Sequence, residues 1–544
     1  MPVWPTSGVP FETTQLTRRG FMAAGIIGGL ALTACGQSKS QLSASAKMAD
    51  AINAAEAARP HSGRTVTASL TPQQVQVDLG GPVARTMAFG NTIPGPLIRA
   101  SVGDEVVVTV SNRLGQPTSV HWHGIALRND MDGAEPATPN IPAGQDFTYR
   151  FSVPNSGTYW AHPHVGLQDD VGLYLPFIVD DPSELGSYDA EWIVVLDDWT
   201  DGVGKSPQQL YDELRSPNKP TATPPTTTTT TTTTGTNAPK TSTTSTTTST
   251  TSSETSPPSP APGMSGMPEL GAGKSDLLDG DAGDIAYPYY LINGRIPAAP
   301  TTFNAKAGQR IRIRFINTGA DTAFRVALAG HSMTVTHTDG FPVVPQQVDA
   351  LLIGMAERYD VIVTAADGVF PLVALAEGKN ALARALLFTG AGGAPDPNFQ
   401  PAELTKRVGT IEMFTATSPV NLGGPDPDRN LPVALDGNMM QYNWMINGEP
   451  WSKTHPLQVR QGQRPTLAFD NTTMMYHPIH LHGHTFQLIK ADGSPGARKD
   501  TVIVLPKQKI SAVLVADNPG TWVMHCHNNY HQVAGMETRL DYVF

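Results

Sequence analysis

Three segments repeat one pattern at one spacing, and no other feature of the chain limits its fold so tightly. They are Gly103-Asp-Glu-Val-Val-Val-Thr-Val-Ser-Asn112, Gly308-Gln-Arg-Ile-Arg-Ile-Arg-Phe-Ile-Asn317 and Gly462-Gln-Arg-Pro-Thr-Leu-Ala-Phe-Asp-Asn471. Apolar residues fall on alternate positions, more weakly in the third copy. Alternation at period two marks strands with one buried face. Three copies predict an all-β chain of three similar domains, and 544 residues suit about three to four. The low charged fraction (16%) with 51 Gly and 47 Pro likewise favours strands and turns.

Histidines give a second landmark. Nine residues past Asn112 stands His121, opening His121-Trp122-His123-Gly124. Nine past Asn471 stands His480, opening His480-Leu481-His482-Gly483. Nine past Asn317 is Val326. Further on, Gly157-Thr158-Tyr159-Trp160-Ala161 leads into His162-Pro163-His164, and Gly520-Thr521-Trp522-Val523-Met524 leads into His525-Cys526-His527. The first and third domains thus carry matched pairs of His-x-His motifs, and the middle domain carries neither. In a strand, residues i and i+2 share a face, so each motif projects two imidazoles one way. If the two domains face each other, eight imidazoles converge, enough for three metal ions. Imidazole suits Cu, Zn, Fe and Ni alike, so these residues alone do not name the metal.

Cys526 names it. Its side chain points away from those of His525 and His527, toward a second site. His531, Met536 and His477 are near in sequence to one or other motif. Two His, one Cys and a weak axial Met make a blue-copper electron-transfer site. An electron arriving there can pass through the Cys526 backbone to either neighbouring histidine. Pro163 stands where Cys526 would be in the first domain, so a single blue copper is predicted, in the third.

Elsewhere the chain offers less. A net charge of -11 argues against nucleic-acid partners. Two cysteines, Cys35 and Cys526, rule out a disulfide framework. Thr17-Arg18-Arg19-Gly20-Phe21-Met22 resembles a twin-arginine export motif, and Leu32-Thr33-Ala34-Cys35-Gly36 resembles a lipobox. Export to the cell envelope is expected, with membrane contact only through a lipid on Cys35. The expected organisation is a signal (1–35), a flexible Ala/Ser-rich tether (36–62), domain 1 (63–182), domain 2 (183–400) and domain 3 (401–544). A Thr/Ser/Pro-rich insert (216–280), expected to be disordered, interrupts domain 2. His61, His331, His337, His455 and His484 lack matched spacing and read as structural or surface residues, with His484 next to the cluster motif.

Together, His121-Trp-His, His162-Pro-His, His477-Pro-Ile-His-Leu-His and His525-Cys-His with His531 and Met536 resemble the multicopper oxidases of the three-domain laccase type. The resemblance runs from about residue 65 to the C-terminus, omitting the insert. It implies three cupredoxin-like Greek-key β-sandwich domains and four copper ions. His477, Cys526, His531 and axial Met536 would hold the type 1 copper. His121 and His480 would hold the type 2 copper, and His123, His162, His164, His482, His525 and His527 the type 3 pair. Four one-electron oxidations would be coupled to reduction of O2 to water. Asp132 aligns with an acidic residue that the family places near the type 2 copper, where it would relay protons. Tyr530 replaces the acidic residue that many relatives carry before the second type 1 histidine.

Tyr530, the run from Asn471 to His477 and Asp198-Trp199-Thr200-Asp201 look like the bacterial copper-resistance oxidases, so Cu(I) is the first expected substrate. Met264, Met267, Met474 and Met475 are candidates to capture it, since thioethers suit a soft cation. The alternatives are a laccase-like oxidase of phenols and aromatic amines, and a copper-binding protein without turnover.

Overall fold

The computed structural model describes residues 39–184, 187–216, 269–270 and 273–544. The expected signal, Cys35, Met264 and Met267 lie outside these residues, as does the insert from 217 to 268. The repeated segments become the strands Glu105–Ser111, Arg310–Asn317 and Thr466–Asn471. All three occupy the same place in their sheets. Each pairs in parallel with the strand that opens its domain, Thr65–Leu70, Ala190–Trp199 or Asn430–Asn438. Each pairs antiparallel on its other side with Asp146–Ser152, Arg358–Thr364 or Lys509–Leu514.

The ends of the repeat explain its fixed spacing. Gly103, Gly308 and Gly462 all have positive φ (82°, 84° and 85°), a conformation open to glycine at little cost. The three asparagines are buried and do the same work. Oδ1 of Asn112, Asn317 and Asn471 accepts the backbone N–H two residues on, of Leu114, Gly319 and Thr473, at 2.9 Å in each case. Their amides donate to carbonyls of the following loop and of a facing segment: Gln116 and Ile141, Thr322 and Ile353, Met475 and Val504. Each asparagine pins the loop that leads to the next strand. In the outer domains that strand carries the histidines.

The histidine strands lie in the second sheet of each outer domain. His121–His123 closes a four-stranded sheet beside Gly157–His162. His477–Leu481 lies in a five-stranded sheet between Thr501–Val504 and Thr521–Cys526. The middle domain has two six-stranded sheets. Trp122 turns from its flanking histidines into the core, against Tyr149, Phe151 and Phe177. Burying a ring of that size contributes about 1.5–3 kcal/mol.

Two expectations need correcting. The supposed tether contains a helix, Lys39–Ala57. Alanine is the strongest helix former, and tertiary contacts fix the C-terminal turns. The Glu56 carboxylate accepts Ser152 N–H (3.0 Å), Asn53 accepts Arg128 (3.2 Å), and Arg59 just beyond donates to Asn518 (2.9 Å). The helix end therefore touches both the first and the third domain. The insert also ends before residue 280: Lys274–Ser275 pairs with Gly280–Asp281 around a 3-10 turn. No described helix is long and apolar enough to cross a membrane.

Candidate metal centre

All eight imidazoles of the His-x-His motifs meet between the first and third domains. His121 lies opposite His162 in one strand pair, and His480 opposite His525 in the other. Rings from the two domains stack across the seam, His121 on His482 and His123 on His480, both at 3.7 Å. Around these stacks the other rings lie close. His123, His162 and His527 have centroids 5.1–5.7 Å apart. His164, His482 and His525 are 5.0–5.2 Å apart. His121 and His480 are 5.7 Å apart.

Buried carboxylates hold the outer nitrogens. Asp132 Oδ2 is 2.8 Å from His482 Nδ1, and its Oδ1 is 3.3 Å from His121 Nδ1. Asp169 Oδ1 is 2.7 Å from His162 Nδ1, and Oδ2 is 4.0 Å from His527 Nδ1. Asp500 Oδ1 is 3.2 Å from His123 Nε2 and 3.5 Å from His480 Nδ1. Backbone carbonyls share this work: those of Asp132, Pro163 and Asp500 meet Nδ1 of His121, His162 and His480 at 2.9 Å each, and together these groups set which ring nitrogen faces inward. Burial works against the ionised form of Asp500, but the Arg358 guanidinium holds its carboxyl well below the usual range.

The inward nitrogens fit a metal. Nε2 of His121, His162, His480 and His527 and Nδ1 of His123 are buried without a hydrogen-bond partner. His482 and His525 face each other through their Nε2 atoms at 3.2 Å. Leaving so many buried polar atoms unpaired is costly unless an ion satisfies them. Burial, reinforced by neighbouring imidazoles, pushes His123, His164, His482, His525 and His527 well below the ordinary imidazole value. Neutral imidazole is the form that ligates. His164 is less enclosed, and its Nε2 lies 3.0 Å from the Gln532 amide nitrogen.

A second centre lies on the far side of Cys526. Its Sγ is 3.6 Å from His477 Nδ1 and 3.7 Å from His531 Nδ1, and those nitrogens are 3.1 Å apart. All three residues are buried. The short helix Asn529–Val533 aims His531, and the Asn528 side chain caps it by accepting the Tyr530 and His531 N–H groups. Met536 is buried beside them: Cys526 N–H donates to its carbonyl, and its own N–H donates to that of His531, both at 3.0 Å. Thr473 Oγ1 lies 2.8 Å from the outer nitrogen of His477, and Asp284 Oδ2 lies 3.1 Å from that of His531. One thiolate and two imidazoles, with Met536 tied to Cys526 and His531 through its backbone, suit copper. The centres share the segment 525–527, and His525 Nδ1 sits 3.0 Å from the Cys526 carbonyl.

Sequence reasoning missed Asp169, Asp284, Asp500 and Arg358. Asp169 follows His164 closely in one loop, a signal that was available. The other three come from distant segments with no local motif. Tyr530 donates to Asp170, which also accepts Tyr287 O–H at 3.2 Å. The acidic group near this position thus comes from another loop. Met474 is 69% exposed, but Met475 is buried at 2% and takes no part in the surface. Of the other histidines, His331 bonds backbone groups, His455 is exposed, and His484 Nδ1 touches the His482 carbonyl at 3.1 Å.

Comparison with known proteins agrees with this geometry. Three family models, each described as multicopper oxidase, match residues 71–184, 190–390 and 425–542. The chain is 69% identical to the multicopper oxidase MmcO of Mycobacterium tuberculosis, over 100% of both proteins. It is 28% identical to a copper resistance protein A homolog of Pseudomonas syringae, over 86% of this chain and 90% of that one. Among solved structures, the laccase from Botrytis aclada matches with a TM-score of 0.66 at 22% identity, covering 89% of each chain.

Proposed function

The chain belongs to the multicopper oxidases, enzymes whose cofactor is four copper ions, and from that premise we propose that it oxidises Cu(I) at the expense of dioxygen. The family resemblance divides the ligands. His477, Cys526 and His531, with Met536 as axial thioether, would hold the type 1 copper. His121 and His480 would hold the type 2 copper. His123, His162 and His527 would hold one type 3 ion, and His164, His482 and His525 the other. Copper bound there supplies one-electron transfer from substrate and four-electron reduction of dioxygen to water. The chain orients the rings: the carboxylates of Asp132 and Asp500 and the backbone carbonyls of Asp132, Pro163 and Asp500 hold the outer nitrogens. Asp132 Oδ1, buried without a hydrogen-bond partner, is the atom that would hand on protons.

The closed edge of His531 carries the substrate assignment. An aromatic reductant needs access to the outer side of a type 1 histidine. Here His531 is fully buried, and Asp284 Oδ2 meets its Nε2 while also accepting Tyr442 O–H at 2.6 Å. Asp281 pairs through its backbone with Met475, and Met474 beside it exposes a thioether. Carboxylates and a soft sulfur suit a small cation better than a ring. Copper-resistance relatives agree with this reading, and so would export through Arg18-Arg19 and an envelope anchor at Cys35.

The test is oxygen uptake by the copper-loaded enzyme with Cu(I) or a substituted phenol, autoxidation subtracted. Met474→Leu should slow the Cu(I) reaction and leave the phenol reaction unchanged. Faster turnover of phenol, with only background on Cu(I), would make the enzyme a laccase. No uptake with either would make it a copper-binding protein.

A further inference from the structure

The middle domain has no His-x-His motif, yet its side chains reach the surroundings of the cluster. Arg358 opens the strand Arg358–Thr364 and is fully buried. Its guanidinium grips Asp500 of the third domain with both arms, Nη1 to Oδ1 at 2.7 Å and Nη2 to Oδ2 at 2.6 Å. Its Nε donates to the Thr158 carbonyl of the first domain at 3.0 Å. Asp500 Oδ1 in turn lies 3.2 Å from His123 Nε2, in the first domain, and 3.5 Å from His480 Nδ1, in the third. Three domains therefore converge on one carboxylate.

The histidines respond in opposite senses. His123 turns Nε2 to Asp500 and leaves Nδ1 unpartnered, while His480 turns Nδ1 outward and leaves Nε2 unpartnered. Two stacked rings thus present different nitrogens to the interior because Asp500 holds each by a different group: its carboxylate meets His123 Nε2 at 3.2 Å, and its backbone carbonyl meets His480 Nδ1 at 2.9 Å. Asp500 is itself held in register. Asp339 Oδ2 accepts the Asp500 and Thr501 N–H groups at 3.2 and 3.1 Å, and Asp339 Oδ1 accepts the Arg358 N–H at 2.9 Å. Gly124, which follows His123, leaves the room for this. A Cβ there would stand 2.3 Å from Arg358 Nη2 and 2.6 Å from Asp500 Oδ2.

We infer that Arg358 is a positioning residue for the trinuclear site: it fixes Asp500, which sets the ring nitrogen of His123 through its carboxylate and that of His480 through its backbone carbonyl. The inference rests on the ligand assignment proposed above. A bidentate guanidinium–carboxylate pair sets a plane as well as a distance, which an ammonium does not.

The test uses the copper-loaded full chain with Arg358→Gln, Arg358→Lys, Asp500→Asn and, as a purely structural comparison, Arg314→Gln. Arg314 lies on the neighbouring strand, also buried, and pairs with Asp360 (2.9 Å), Glu191 (2.7 Å) and the Thr158 hydroxyl (2.9 Å) rather than with Asp500. Copper per chain, the type 2 electron-spin-resonance signal and the blue type 1 colour are measured. Arg358→Gln and Asp500→Asn should keep the blue colour, alter or lose the type 2 signal, and weaken cluster copper binding about 10- to 100-fold. Arg358→Lys should restore part of the signal. Arg314→Gln should keep four coppers and a normal type 2 signal. If Arg358→Gln does not fold, Arg358→Lys decides, because a wild-type type 2 signal in it overturns the inference. So does an unaltered signal with four coppers in Arg358→Gln. His480→Ala separates the two readings: if it retains the type 2 signal, the ligand assignment itself has failed.

Discussion

Gly133→Ala should disable the cluster without touching the blue copper. Gly133 follows Asp132 in a turn with φ +83°, and a Cβ there would lie 1.8 Å from the Val120 carbonyl oxygen and 2.7 Å from the His121 nitrogen. Real Cβ contacts essentially never fall below 3.0 Å, so the two segments must part by about 3.0 − 1.8 = 1.2 Å. One side of that gap carries Asp132 and the other His121. The Asp132–His482 contact of 2.8 Å and the Asp132–His121 contact of 3.3 Å cannot both survive such a shift. A non-glycine residue in left-handed backbone costs about 1–2 kcal/mol. Overpacking adds about 1–3 kcal/mol. A misplacement near 1 Å lowers turnover by about 100-fold.

Gly144→Ala supplies the control. Gly144 has φ +73° with nothing within 4 Å of the added Cβ, so it incurs the backbone term alone. Urea unfolding should put Gly133→Ala about 1–3 kcal/mol below Gly144→Ala. Oxygen uptake should fall about 100-fold in the first and hold in the second. The blue colour should persist in both, since the ligands proposed for it come from the third domain alone. Equal stability and equal turnover in the two variants would refute the reasoning, and would mean that the turn moves without disturbing Asp132.

Two further outcomes are expected. Cys526→Ser should abolish the blue colour and oxygen uptake while the imidazole cluster still binds copper; colour that persists would remove the type 1 assignment. Glu537 is held up to about 8 by burial, with a Gln532 hydrogen bond opposing. Its folded value exceeds the ordinary 4.5, so its contribution is fully present below pH 4.5 and is lost as pH rises toward 8. The loss is on the order of 4 kcal/mol. Glu537→Gln should flatten urea stability between pH 5 and 8, and an unchanged slope would show that Glu537 does not titrate in that window.

What the sequence made legible was whatever repeats locally. The Gly-to-Asn spacing marked three equivalent strands because each copy solves the same problem: a left-handed turn at one end and a pinned loop at the other. The His-x-His pairs declared a shared face because strand geometry alone dictates it. Arg358, Asp284 and Asp500 stayed hidden for the opposite reason. Asp500 meets His123 and Arg358 only after three domains dock, and neither spacing nor periodicity encodes docking. The helix Lys39–Ala57 was misread because its composition resembles a linker, while Asn53 and Glu56, which fix it to the first domain, look like ordinary polar residues.

The methionine pair shows where local reasoning had more to give. Met474 and Met475 were both named as soft ligands, but the chain bends at Met474 and makes an isolated bridge at Met475, and only Met474 is exposed. Asn471 and Thr473 decide which, since Asn471 donates to the Met475 carbonyl and Thr473 Oγ1 accepts the Met475 N–H while lying 2.8 Å from His477 Nε2. That turn draws Met475 inward and leaves Met474 outside. The asparagine that ends the third repeat therefore also sets which of the two thioethers is exposed, the one that Cu(I) would meet under the proposed function.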